Sequence, residues 1–343
     1  MSATVAVQAA PPPAQVLAQL LAGAWLAQAI AVAAKVGVAD MLKDGPRSPA
    51  DLATATGSDA MAMHRILRAL AGAGIFEEKP DGTFVLTPLA GPLRSDAPDS
   101  IRAYATMTGE RWMWQSMGAM DYSLRTGASA FAHLFGASTF DYHAQHPETA
   151  ELYTEGLRSL GRGQDAAVVA AYDFSTARTL VDVGGGQGGL LAAILRANPQ
   201  AHGTLFDLPH VVEQAQRQLE ESGLSDRCKT AAGSFFEHVP GGGDIYMLRK
   251  VLHDWTDEEA LAILRQCRKA IPADARLLVL EMMMPAGNEP AYAKLLDLLM
   301  LVHAGGRERT EHEYRDLLAA AGFAVKRIVP TRSALSVVEA VPG

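Results

Sequence analysis

Between residues 181 and 189 the chain reads Val181-Asp182-Val183-Gly184-Gly185-Gly186-Gln187-Gly188-Gly189, a short apolar run that breaks into glycines. Such a string sets the end of a strand against the start of a helix. Glycine lets the backbone turn sharply there and lets a ligand approach the helix N-terminus. Gly184, Gly186 and Gly189 satisfy G-x-G-x-x-G, while Gly184, Gly186 and Gly188 satisfy G-x-G-x-G. Alone, neither pattern separates one nucleotide from another. Asp207 ends the next strand pattern about 20 residues on, where a carboxylate can accept hydrogen bonds from both ribose hydroxyls. The combination implies an adenosine-type ligand and leaves NAD and S-adenosylmethionine both open.

Around this string the texture alternates between strand and helix. The patterns predict strands at Thr179 to Val183, Gly203 to Phe206, Cys228 to Ala231, Asp244 to Leu248 and Arg276 to Leu280, with helices in the gaps. A parallel sheet covered on both faces follows. The chain ends differently: Val325 to Val329 and Ala334 to Ala340 are joined by Pro330-Thr331-Arg332-Ser333, too short for a crossover helix, so the last strand must run antiparallel to its predecessor. Three features favour S-adenosylmethionine. Asp182 suits the amino end of a methionine moiety and opposes a pyrophosphate. The sheet lies at the C-terminal end and closes with that hairpin, and no second dinucleotide-like half follows.

The 343 residues make two domains the better prior, and 49% hydrophobic with 20% charged residues is ordinary for a globular chain. A net charge of -8 leaves no generally basic footprint for nucleic acid. The two cysteines, Cys228 and Cys267, cannot build a disulfide framework and suit a reducing, cytoplasmic setting. Ala14 to Ala34 is uncharged and long enough to be tested as a membrane span. Gln15, Gln19 and Gln28 interrupt it, and no basic residue precedes it, so it reads as a helix packed on protein. Leu17, Leu20, Leu21, Trp25, Ile30 and Val32 spread round that helix, which predicts a homodimer and no membrane partner.

From Pro49 to Thr87 two helices, Asp51 to Thr56 and Asp59 to Ala71, and a hairpin around Lys79-Pro80-Asp81-Gly82 have the layout of a winged helix. DNA binding is the rival reading, with Met63 to Arg68 as a recognition helix. Acidic residues outnumber basic ones over residues 1–100, so a structural use is favoured. Residues 100–165 read as helical and rich in Trp, Met, Phe and Tyr; core packing and an apolar ligand wall both stay open there.

Val251-Leu252-His253-Asp254-Trp255-Thr256-Asp257 follows the fourth strand of the parallel set, at the sheet edge where ligands bind in such folds. His253 is the candidate base. Glu281, at the end of the fifth strand, and Glu308, in Gly305-Gly306-Arg307-Glu308-Arg309-Thr310, are the carboxylates that could fix its tautomer. No Cys/His cluster or dense carboxylate set suggests a metal, so metal-independent chemistry is expected.

With Asp182 to Gly188, Phe206-Asp207-Leu208-Pro209, Leu252-His253-Asp254-Trp255 and Gly305 to Thr310 on the page, the chain resembles the plant-type small-molecule O-methyltransferases. That family includes caffeic acid and hydroxyindole methyltransferases and bacterial natural-product tailoring enzymes. The resemblance covers nearly the whole chain. It implies an α/β fold: a Rossmann-like class I methyltransferase sheet with an antiparallel last strand, plus an N-terminal helical winged-helix dimerisation domain. The corresponding division is 1–100 for dimerisation, 101–165 as a helical linker lining the acceptor pocket, and 166–343 for S-adenosylmethionine binding. It further implies a homodimer, an aromatic small-molecule acceptor, His253 as general base, and Glu281 and Glu308 flanking its ring. Cofactor contacts would come from Asp182, Gly184, Gly186, Gly188, Asp207, Leu208, Ser234, Phe235 and Arg249. Acceptor contacts would come from Met107, Trp112, Phe131, Phe140, Leu157, Asp254 and Met300. Ser234 stands where the family usually has an acid, Arg249 where a Lys is common, and Leu157 where a Met is frequent. The alternative is a winged-helix regulator whose methyltransferase-like domain binds a ligand without catalysis, and an NAD-dependent oxidoreductase is third.

Overall fold

The computed structural model describes residues 11–343. The first ten residues of the 1–100 segment lie outside the described residues. The chain divides into two compact units, Met1–Arg111 and Trp112–Gly343.

The first unit opens on the helix Pro13–Lys35, with proline at its first turn, where a missing N–H costs nothing. The helix Pro49–Thr56 begins two residues before the expected Asp51, because Ser48 and Asp51 form a reciprocal capping box and Pro49 occupies the first position. Asp59 caps the helix Ala60–Gly72 by accepting from the Ala62 N–H at 2.8 Å. Strands β1 (Phe76–Glu78) and β2 (Phe84–Leu86) pair antiparallel round the expected turn. Leu52, Leu67, Leu70 and Phe84 form the fully buried core of this unit. The helix Arg102–Thr108 packs on the long helix, and Arg102 reaches Asp40 at 2.7 Å.

Along the helix Pro13–Lys35 only Ala31, Ala33 and Ala34 are buried, whereas Leu20, Leu21 and Trp25 are 71%, 75% and 77% exposed. It is long and apolar enough to cross a membrane by length and composition. An apolar surface of this extent marks an interaction site.

The second unit carries helices from Arg111–Gly118 to Pro147–Ala171 and then a sheet of seven strands. These are β3 (Thr179–Val183), β4 (His202–Asp207), β5 (Cys228–Ala232), β6 (Ile245–Arg249), β7 (Arg276–Met282), β8 (Phe323–Pro330) and β9 (Leu335–Pro342). Their spatial order is β5-β4-β3-β6-β7-β9-β8. The first five run parallel; β9 inserts antiparallel between β7 and β8, as the short Pro330–Ser333 link requires. Side chains of each central strand alternate between two apolar layers, with Leu180, Leu205 and Met247 on one face and Val181, Phe206 and Leu248 on the other. In register, Asp182 lies opposite Leu205 and Met247, so the C-terminal ends of β3, β4 and β6 open onto one edge. The candidate residues gather at that edge.

Candidate active site

The glycine loop leaves β3 and feeds the helix Gly189–Ala197. Gly184 and Gly186 sit at φ +68° and +57°, a left-handed conformation that side chains resist. A Cβ on Gly184 would come 2.9 Å from Val251 Cγ2 and 3.4 Å from the Phe235 ring, whereas one on Gly186 would meet nothing within 4 Å. The loop is therefore packed on one side and open on the other. Asp207, at the end of β4, is tied to it: its Oδ2 accepts from the Gly186 N–H at 2.8 Å and its Oδ1 from the Leu208 N–H at 2.7 Å. Leu208 is 37% exposed beside it.

Asp182 is 1% exposed, and its Oδ1 has no hydrogen-bond partner. Burial pushes its carboxyl up to about 7, against Arg249 and helped by the neighbouring Asp165 and Asp207. A buried acid without a partner at the head of a glycine loop fits a cationic ligand group, and Asp207 beside the open loop fits a ribose. Arg249 is engaged with the long helix Pro147–Ala171 instead of reaching into open space. It pairs with Asp165 at 2.9 Å and donates to the Gly161 carbonyl at 3.2 Å. Asp165 in turn faces Gly189, where a Cβ would lie 3.0 Å from its Oδ2. Ser234 accepts from the Phe236 N–H at 3.3 Å and so shapes its own turn.

His253 stands in the single turn Leu252–Asp254 after β6, 4% exposed. Its Nδ1 lies 2.7 Å from Glu308 Oε1 and 3.9 Å from Glu281 Oε2, and its Nε2 lies 3.5 Å from Asp254 Oδ1. Glu281 is held in turn by the N–H groups of Val251 and Leu252, at 3.1 and 3.0 Å. Burial alone would lower the imidazole pKa, but Glu281, Asp254 and Glu308 outweigh it and raise it to about 9. Burial likewise raises Glu281 to about 7, with His253 opposing. The loop carrying Glu308 lies backbone against backbone on His253–Trp255, so closely that no Cβ fits at Gly306. Arg309, fully buried, fastens the same turn by donating to the carbonyls of Leu252 at 2.7 Å and Trp255 at 2.9 Å. The ligating atoms of His253, Glu281 and Glu308 lie within 4.8 Å of one another, a set that a divalent cation could also use.

Two residues here were not singled out from the sequence. Arg309 lies inside a motif read for Glu308 alone. Lys250 is the one non-glycine residue in the left-handed region among the described residues, at φ +52°. Burial, then Arg249, lowers its ammonium, while Asp254, Glu281 and Glu308 oppose that.

Beside the His253 turn, Phe140 stacks on Trp255 with centroids 5.8 Å apart, and Trp255 meets Phe235 edge to face at 5.9 Å. This aromatic layer links the glycine loop to the helical segment. Trp112 is 5% exposed and Met300 8%, the latter on the helix Tyr292–His303 that leads to the Glu308 loop. Phe131 is fully enclosed by Trp112, Phe135, Tyr142 and His303, a core position and not a wall. Leu157 is 38% exposed on the long helix. Met107 is buried within the first unit. His143 and Tyr153 join the Trp112 cluster without having been marked in the sequence, where a lone His or Tyr in a helix carries no distinguishing signal.

A family model described as an O-methyltransferase domain matches residues 114–324, and one described as an O-methyltransferase dimerisation domain matches residues 18–94. A phenazine O-methyltransferase of Lysobacter antibioticus is 46% identical over 331 residues, spanning 96% of this chain and 97% of its own. A mitomycin biosynthesis 6-O-methyltransferase of Streptomyces lavendulae is 39% identical over 313 residues, 91% of this chain and 89% of its own. The crystal structure of an O-methyltransferase from neocarzinostatin biosynthesis, in complex with S-adenosylmethionine and 2-hydroxy-5-methyl naphthoic acid, matches with a TM-score of 0.82 at 34% identity. That match covers 98% of this chain and 100% of the other.

Proposed function

The chain belongs to the O-methyltransferase family, and from that premise we propose how its own residues serve methyl transfer from S-adenosylmethionine to a hydroxyl of an aromatic small molecule. The observation that carries the reading is the 2.7 Å bond between His253 Nδ1 and Glu308. With Nδ1–H directed at that carboxylate, the neutral ring keeps its lone pair on Nε2, which takes the acceptor's proton. An ordinary imidazole near 6.5 facing a phenol near 10 makes full proton transfer uphill by about 5 kcal/mol. A base at about 9 reduces this to about 1.4 kcal/mol, so Glu281, Asp254 and Glu308 make His253 a stronger base. Asp254 at 3.5 Å then faces the imidazolium.

Bound S-adenosylmethionine supplies an electrophilic methyl group and a positive sulfonium. Asp207 holds the ribose hydroxyls, Asp182 faces the cationic methionine end, and Gly184, Gly186 and Gly188 keep the loop clear for close approach. Leu208 and Phe235 flank the adenosine as apolar walls, Ser234 shapes the turn beside it, and Arg249 acts through Asp165. Trp112, Phe140 and Met300 form the acceptor's surroundings, with Leu157 and Asp254 contributing and Phe131 packing behind Trp112; Met107, buried in the first unit, drops out of that set. Catalysis is otherwise in-line positioning. The bonding of Glu281 to two N–H groups and of Glu308 to His253 favours a role in orienting and stabilising the ring over metal ligation.

The dimerisation match supports a homodimer, and we assign its interface to the helix Pro13–Lys35 in place of a membrane contact. Cytoplasmic location, absence of nucleic-acid binding and the division at 1–100, 101–165 and 166–343 are parts of the same reading. The test is transfer of labelled methyl from S-adenosylmethionine to a panel of aromatic hydroxy compounds, with and without chelator. Oxygen-methylated product at an unchanged rate under EDTA supports the reading; methylation at ring nitrogen alone, or chelator-dependent turnover, overturns it.

A further inference from the structure

Within the Trp112 cluster, a second polar site shows a deficit of defined sign. His143, on the helix Thr139–Gln145, is 4% exposed. Its Nδ1 lies 2.8 Å from Thr149 Oγ1, and that hydroxyl directs its own hydrogen to the His146 carbonyl at 3.0 Å. With its hydrogen on that carbonyl, Thr149 accepts from the ring. Nδ1 then carries the ring hydrogen, and Nε2 presents a bare lone pair. That atom is buried with no partner. Burial, with His146 adding to it, pushes the ring down to about 4, so it stays neutral at physiological pH. Trp112 stands edge to face with it, centroids 4.8 Å apart, and the Trp112 Nε1–H is also buried without an acceptor. An orphan acceptor beside an orphan donor is a costly arrangement for a core to keep without a function.

Tyr153 couples the site electrostatically to Asp254. Tyr153 stacks on His143 with centroids 4.2 Å apart, and burial and the charge of Asp254 hold its hydroxyl above the usual phenol range. Asp254 is the carboxylate facing His253 Nε2. On the other side, Thr139 Oγ1 donates to the His303 carbonyl at 3.0 Å, which ties the His143 helix to the segment leading to Glu308.

We propose that His143 Nε2 accepts a hydrogen bond from a second hydroxyl of the aromatic acceptor, at a position apart from the hydroxyl that His253 deprotonates. This rests on the methyltransferase reading above and names the acceptor class: an aromatic diol. A hydroxyl meets both deficits, since its hydrogen goes to His143 and its oxygen accepts from Trp112. A methoxy group cannot donate, leaves Nε2 unpaired and adds a methyl. The enzyme should therefore methylate a diol once and handle the monomethyl ether poorly.

The experiment compares kcat/KM for the isomeric naphthalenediols with their monomethyl ethers. For the best diol we expect a preference of about tenfold or more in the wild-type protein. His143→Phe keeps an aromatic ring and removes the acceptor, so the preference should fall to roughly the twofold advantage of having two hydroxyls. Thr149→Val leaves His143 in place but frees its tautomer, and should lower the preference in the same direction. Affinity for S-adenosylmethionine should hold in both. Equal treatment of diols and ethers by the wild type, or a preference kept in His143→Phe, overturns the proposal while leaving the methyltransferase reading intact. A preference that persists alongside full turnover in His253→Ala would sink the base assignment and keep the His143 site.

Discussion

Titration of His253 is the perturbation whose size the geometry sets most directly. Three carboxylates within 3.9 Å of its ring raise it to about 9, so in the donor-free protein at pH 7 only about one ring in a hundred is the free base. That population deficit is worth about 2.7 kcal/mol, close to the roughly 3.4 kcal/mol by which the raised basicity lowers the cost of proton transfer. The two effects nearly offset at neutral pH. The advantage appears only as pH rises, or when a cationic donor lowers the imidazole pKa. Carbon and nitrogen chemical shifts of the His253 ring, followed by NMR from pH 5 to 10, should give a midpoint near 9 without donor and a lower one with S-adenosylmethionine. With a weakly acidic phenol and saturating donor, kcat/KM should climb tenfold per pH unit to the lower midpoint and then level. Glu308→Gln, which removes the nearest charge, should shift both midpoints down by roughly one unit. A donor-free midpoint at or below 6.5 would refute the argument, because burial would then have outweighed the carboxylates.

Donor binding should itself depend on pH. Asp182 is raised to about 7, so it is protonated below that value and loses its attraction for a cationic group; calorimetric affinity should fall as pH drops through 7. Asp207→Ala should weaken S-adenosylmethionine binding by a few kcal/mol, because ribose hydroxyls are left unpaired and the Gly186 N–H loses its acceptor. Unchanged affinity would remove Asp207 from the site. Deletion of residues 1–34 should give monomers or aggregates in sedimentation, since it removes the exposed Leu20, Leu21 and Trp25; a well-behaved dimer would place the interface elsewhere.

The sheet was legible because each element announces itself locally. Apolar runs bounded by turns gave β3 to β7 within a residue or two, and the four-residue Pro330–Ser333 link dictated the antiparallel end. The early start of the helix at Pro49 was missed by two residues because capping by Ser48 outweighed the apolar period. At the site, His253, Glu281 and Glu308 come together from three segments, and motif context had marked all three. Arg249 was read toward the cofactor, but its partner Asp165 lies on a helix whose register no strand pattern reveals. Phe131 and Trp112 look alike in sequence; only packing makes one a core residue and gives the other an unpartnered N–H. His143 and Tyr153 escaped notice because buried polar deficits are properties of tertiary contacts. The strain at Lys250 is invisible for the same reason: nothing in the string Arg249-Lys250-Val251 signals a left-handed backbone.

The central claim is that His253 takes the proton, and turnover of His253→Ala on a weakly acidic phenol tests it most directly. General-base catalysis contributes about 10²- to 10⁴-fold, so turnover should fall by that order while folding and S-adenosylmethionine affinity are preserved. The deficit should shrink for acceptors already ionised at the assay pH. Wild-type turnover in that variant on the weakly acidic phenol would contradict the mechanism.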